Sequence, residues 1–140
     1  MIIYCAGPIK GDKQFQSFYK EIIKYICSLG HTALSELNDK FKSAFPLNDI
    51  QIFKRDIKWM ESSELIVAEV TSASTGAGFE VAYALYNLKK PVLALCKKGE
   101  KPVSAMISGC DSDILTVKYY SGVDDIKKII SQYLNEKENI

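Results

Sequence analysis

Leu65-Ile66-Val67-Ala68-Glu69-Val70 leads through Ser74-Thr75-Gly76-Ala77-Gly78-Phe79-Glu80 into Val81-Ala82-Tyr83-Ala84-Leu85-Tyr86-Asn87-Leu88. The first segment is apolar at nearly every position, the pattern of a strand buried on both faces. The last has helical character, and small residues join the two. The order is therefore strand, loop, helix. Gly76 and Gly78 let a ligand approach the backbone closely and leave N–H groups at the helix start facing an anion. Glu80 is expected in the first helical turn, held ionised by the positive end of the helix dipole. A carboxylate beside an anion-binding loop suits a ligand carrying both a phosphate and an electrophilic carbon.

The loop is not a standard nucleotide fingerprint. Gly-x-Gly-x-x-Gly would need glycine where Val81 stands, and no Gly-Lys-Ser/Thr follows. Taken alone, the glycines serve equally as a tight turn and the glutamate as a capping residue. The segments on either side decide which applies.

Upstream, Met1 to Ala6 reads as a first strand and Gly7-Pro8-Ile9-Lys10-Gly11 as a loop. Asp12 is the expected N-cap of a helix to about Leu29, with Phe15, Phe18, Tyr19, Ile22, Ile23 and Ile26 at helical spacing and Gly30 as its stop. His31 to Leu34 forms a second strand. Asn38 to Leu47 lacks periodicity and is expected to be a mobile loop. A helix from Asn48 to Ser62 places Ile50, Phe53, Ile57 and Met60 on one face. Glu64 to Val70 is the third strand, and the helix after the glycines extends to about Lys89. Downstream follow a strand over Pro91–Cys96, a short helix around Ser104-Ala105-Met106-Ile107, and a strand over Ile114–Tyr119. The last helix runs from Val123 to about Leu134, with a fraying tail.

Alternating strands and helices with short connections make a parallel sheet covered on both faces. Ligands of such sheets bind beyond the carboxyl ends of the strands, at the switch in strand order. The loops there are Gly7 to Gly11, Thr71 to Gly78 and Lys97 to Ser104. The glycine segment thus lies where chemistry is expected.

At 140 residues and 47% apolar content, the chain is expected to be one domain with a single core. A net charge of +1 gives no field favouring nucleic acid or an acidic membrane. No run is long enough to span a bilayer, and Met1-Ile2-Ile3-Tyr4 has no signal-peptide pattern. Cys5, Cys27, Cys96 and Cys110 are scattered, and with one histidine no metal site is expected. Scattered thiols suggest core residues of a reduced, cytoplasmic protein.

Among the chemical side chains, Asp56 sits at the margin of the second helix's apolar face. A helical acid there ordinarily pairs with a neighbouring lysine. Near Glu80 it would instead form a carboxylate pair with divergent pKa values, one acid and one nucleophile, as glycosyl transfer requires. Tyr4 closes the first strand, and its hydroxyl could emerge beside Glu80. Lys10 offers a cation, and Ser74 and Ser104 offer hydroxyls to a phosphate. His31 is expected to be structural, and Trp59 a core or interface residue.

The segments YCAGPIKG (Tyr4 to Gly11), RDIKWMESSELIVAEVT (Arg55 to Thr71), STGAGFEVAYAL (Ser74 to Leu85) and SAMISG (Ser104 to Gly109) occur together and in this order. In them the chain resembles the nucleoside 2-deoxyribosyltransferase-like family, and within it the branch that hydrolyses 2'-deoxynucleoside 5'-monophosphates. The resemblance implies a single-domain, Rossmann-like or flavodoxin-like doubly wound sheet of five parallel strands, with helices on both faces. It implies Glu80 as nucleophile, Tyr4 orienting it, and Asp56 as the acid assisting departure of the base. Ser74, Gly76, Gly78 and the loop Gly7, Pro8, Ile9, Lys10 and Gly11 would hold the phosphate. Ser104 would contribute from the neighbouring subunit of a homodimer. No cofactor is implied. Transferases acting on free nucleosides carry an acid in place of Ser74 and an amide in place of Ser104. Pro8 and Lys10 depart from a serine and an arginine of the hydrolases, removing one hydroxyl, one N–H and a bidentate fork. Alternative activities are base transfer and hydrolysis of a ribonucleotide such as cytidine monophosphate. A nucleotide-sensing module is the non-enzymatic alternative.

Overall fold

The computed structural model describes residues 1–10 and 13–139. Strands β1 (Ile2–Ala6), β2 (Thr32–Leu34), β3 (Leu65–Glu69), β4 (Val92–Lys97) and β5 (Leu115–Tyr120) form one parallel sheet in the order β2-β1-β3-β4-β5. This is the doubly wound, flavodoxin-like order, as expected. It reverses between β1 and β3, where Tyr4 lies opposite Ile66, so the loops leaving these two strands flank the ligand crevice.

Successive β3 side chains alternate between two cores. Leu65 and Val67 join Tyr19, Ile22 and Ile26 of α1 (Gln16–Ser28) and Ile126 and Ile130 of α5 (Val123–Glu138). Ile66 and Ala68 face Met60 of α2 (Asp49–Ser62), Val81 of α3 (Thr75–Ala82), and Ala84 and Leu85 just beyond it. A short α4 (Ala105–Ser108) precedes β5. Asn48 starts α2 through a reciprocal capping box with Gln51. Gly7 is required by packing, because a Cβ there would lie 2.6 Å from the Tyr19 ring.

Several expectations change. The first helix begins at Gln16; its expected cap Asp12 and the loop residue Gly11 lie outside the described residues. The segment 38–47 contains a 3-10 turn, Asp39–Phe41, capped by the Asn38 side chain. The α-helix after the glycines ends at Ala82 and continues as a wider π turn, Tyr83–Asn87, in which the Leu88 N–H reaches the Tyr83 carbonyl. The final helix holds to Glu138 rather than fraying at Asn135, its face of Ile126, Ile130, Tyr133 and Leu134 buried. The expected apolar face of α2 buries only Met60, leaving Ile50 68% and Phe53 55% exposed. Cys5 and Cys96 are core residues, but Cys27 is exposed and Cys110 partly so. His31 is structural, with Nδ1 2.8 Å from the N-terminal amine and Nε2 3.5 Å from Glu138. No helix among the described residues is long and apolar enough to cross a membrane.

Candidate active site

Ser74, extended at φ −143° and ψ 112°, caps α3, its Oγ accepting the Ala77 N–H at 3.2 Å. A capping oxygen spends a lone pair and leaves its O–H free to donate outward. Gly76 and Gly78 lie within the opening turn of α3 rather than in a loop. A Cβ at Gly78 would meet nothing within 4 Å, and one at Gly76 only Glu80 Oε1 at 3.9 Å. Room is therefore left at the helix N-terminus, where unpaired amides favour an anion.

Because α3 starts at Thr75, Glu80 falls in its second turn, not its first. The helix dipole fades within one turn, so it does not hold Glu80 ionised. Burial pushes the Glu80 carboxyl up to about 7; the Tyr4 hydrogen bond and the Arg55 guanidinium act against that rise, while the Asp56 charge adds to it. Tyr4, in the middle of β1 rather than at its end, donates its hydroxyl to Glu80 Oε2. Burial, with the charges of Glu80 and Asp56, drives the Tyr4 phenol far upward, so it remains a donor.

Asp56 joins the same cluster from α2. Its pairing is with Arg55 rather than a lysine, with Arg55 Nε 3.0 Å from Oδ1. Burial raises the Asp56 carboxyl; Arg55 opposes the rise, as does a hydrogen bond from Tyr4, and Glu36 adds to it. Tyr4, Asp56 and Glu80, far apart in sequence, are thus brought together by β1, α2 and α3. Arg55 was the residue missed: it also reaches Glu36 at 3.6 Å and lies 4.5 Å over the Trp59 ring. Sequence spacing gave no signal for it, since adjacent helical residues do not normally face one another.

A cleft of about 1490 Å³ lies on the opposite flank of α3. Ala77, Gly78, Val81 and Leu85 line it, as do Ser74 and Ser104; Glu80, Tyr4 and Asp56 do not. Ser74, at the head of α3, opens onto this cleft. Ser104 caps α4, accepting the Met106 N–H at 3.2 Å, and is exposed. In the first loop Gly7 and Pro8 are buried, Ile9 is partly buried and Lys10 is exposed. Gln16 Nε2 fixes that loop by donating to the Pro8 carbonyl at 3.0 Å.

Such a pair of partly buried carboxylates, one held by a tyrosine and one by an arginine, beside an anion-ready helix start can perform glycosyl transfer from a phosphorylated substrate. A 5-hydroxymethyl-dUMP N-hydrolase of Esox lucius is 31% identical over 140 residues, covering 95% of each chain. The structure of a CMP N-glycosidase of Clostridium botulinum superposes with TM-score 0.69 at 14% identity, covering 94% of this chain and 98% of that one. A 2-deoxyribosyltransferase of Bacillus psychrosaccharolyticus superposes with TM-score 0.65 at 23% identity, covering 89% of each. These two likenesses concern the fold. The family model for nucleoside 2-deoxyribosyltransferase matches residues 3–123, and the chain belongs to that family.

Proposed function

We propose that the protein hydrolyses the N-glycosidic bond of 2'-deoxynucleoside 5'-monophosphates, giving free base and 2-deoxyribose 5-phosphate. The observation that carries this reading is the Tyr4–Glu80–Asp56 cluster set beside the Ser74-capped start of α3. The 5-hydroxymethyl-dUMP N-hydrolase among the relatives supports it. Glu80, ionised, attacks C1' while Asp56, protonated, gives its proton to the departing base. The Tyr4 hydroxyl holds the attacking carboxylate in line. Asp56, now ionised, then takes a proton from water, whose oxygen attacks C1' and releases Glu80.

The phosphate lies at the α3 N-terminus, bound by the Ser74 hydroxyl and the first amides of α3, with Gly76 and Gly78 leaving room for it. Gly7, Pro8, Ile9 and Lys10 complete its cradle, with Lys10 as the cation. An acid at position 74 would repel this group, which favours nucleotide hydrolysis over nucleoside transfer. Ser104 lies across α3 from Glu80 in its own chain, so it serves a Glu80 site by reaching into a neighbouring subunit. A homodimer is also supported by the exposed rings of Phe53 and Phe79, 6.1 Å apart and continued by Tyr83.

The test is to incubate purified protein with deoxy- and ribonucleoside monophosphates and free deoxynucleosides, and to separate released base by chromatography. Base should come from deoxynucleoside monophosphates, with free nucleosides slower by orders of magnitude, since each lost charge-assisted hydrogen bond is worth about 1.5–3 kcal/mol. Comparable rates on free nucleosides, with exchange onto an added acceptor base, would assign the transferase activity instead.

A further inference from the structure

One buried carboxylate takes no part in this chemistry. Glu69 ends β3, 1% exposed. It points to the face opposite Glu80, where Tyr120 donates its hydroxyl to Glu69 Oε2. Glu69 Oε1 accepts the Thr71 N–H at 2.7 Å, and Oε2 also accepts the Thr71 hydroxyl at 2.8 Å. Thr71 Oγ1 in turn accepts the Lys97 N–H at 2.8 Å. Thr71 follows β3, Lys97 ends β4 and Tyr120 ends β5, so one carboxylate fastens the ends of three adjacent strands. Burial pushes this carboxyl up, while the Tyr120 and Thr71 donors pull it back. With its oxygens engaged by fixed donors, Glu69 is an anchor and not a second nucleophile.

Only Ser72 and Ala73 separate Thr71 from the Ser74 cap. We propose that Glu69 is a positioning residue that, through Thr71, sets the turn carrying the Ser74 hydroxyl and the first α3 amides onto the substrate's phosphate. This rests on the reading of Ser74 as a phosphate-binding residue. Glutamine has one acceptor oxygen and no charge, so Glu69→Gln cannot accept all three bonds as the carboxylate does. Thr71→Val keeps the side-chain shape but removes both hydroxyl links.

The test pairs amide hydrogen exchange across residues 72–78 with kcat/KM on a 2'-deoxynucleoside 5'-monophosphate and on its free nucleoside. In Glu69→Gln and Thr71→Val, exchange at 72–78 should accelerate about tenfold while α1 keeps the parent's protection. The preference for the monophosphate should fall about tenfold, through KM rather than kcat, the scale of one charged hydrogen bond. Tyr120→Phe, which spares the Thr71 links, should have a smaller effect on both. Unchanged exchange at 72–78, or acceleration shared equally by α1, would overturn the proposal. So would a loosened turn with undiminished phosphate preference. A parent protein indifferent to the phosphate would refute Ser74 as its binder and, with it, the role given to Glu69; the exchange data would still show whether Glu69 holds the turn.

Discussion

On the α1/α5 face of the sheet, Ile22, Ile26, Ile126 and Ile130 are fully buried, and the Glu69 oxygens are occupied by Thr71 and Tyr120. On the α2/α3 face the strands contribute Ala6, Ala68 and Ala94 beside Ile66 and Val92, while Ile50 and Phe53 of α2 stand exposed. There Glu80 is tied to Tyr4 and shares its surroundings with a second carboxylate. Both faces shield an acid from water, Glu69 fully and Glu80 in part, but one satisfies it and the other leaves it poised. A carboxylate given enough donors becomes structure; one desolvated beside another acid, with fewer donors, keeps the capacity to react. The first face should govern stability and the second turnover, and substitutions can separate the two.

The largest effect should come from Glu80→Gln. The amide fills the same space but cannot attack, so turnover should fall by about 10⁴-fold or more with nucleotide binding retained. Asp56→Asn should cost about 10²–10⁴-fold, and more for bases that leave poorly, where proton donation matters most. Equal losses for good and poor leaving bases would remove Asp56 from the acid role. Ile130→Ala on the other face should destabilise by about 2–5 kcal/mol in denaturant titration, with KM unchanged. A KM shift there would dissolve the division between faces.

The acid–base behaviour of Glu80 gives a smaller effect. Its folded value, about 7, lies above the ordinary 4.5. The stabilisation from this shift is fully present below about pH 4.5 and lost as pH rises through 7. Glu80→Gln should therefore gain stability over the parent between pH 5 and pH 8, by at most about 3 kcal/mol, read as a growing difference in Tm. The parent's kcat/KM should fall below about pH 7 as the nucleophile protonates. The smallest stability change is expected for Phe53→Ser, within about 0.5 kcal/mol for the monomer fold. Its measurable consequence should be a weaker dimer in sedimentation.

Much of this was legible in the sequence. The run Leu65–Val70 announced a strand buried on both faces, and strand–helix alternation announced a parallel sheet. Tyr4 and Asp56 could be raised beside Glu80 from their places on the strand and helix, but only the family resemblance gave them roles there, because no local pattern shows that β1, α2 and α3 converge. The helix phase at Ser74 was misjudged: small residues look like loop, yet the Ser74 side chain caps at Thr75 and moves Glu80 one turn inward. Glu69 looked like one polar residue in an apolar run, since its partner Tyr120 meets it only once the ends of β3, β4 and β5 are brought together in the sheet. Ile50 and Phe53 share an apolar helical face by spacing, but spacing does not tell whether the cover is this chain's own core or another copy.

The central claim, that Glu80 carries the chemistry by attacking C1', is tested most directly on the protein itself. Wild-type protein is quenched during turnover of a 2'-deoxynucleoside 5'-monophosphate, digested, and its peptides weighed. The expected result is an adduct of 2-deoxyribose 5-phosphate less one water on the peptide containing Glu80, absent from Glu80→Gln. An adduct on another residue, or base release undiminished in Glu80→Gln, would contradict it.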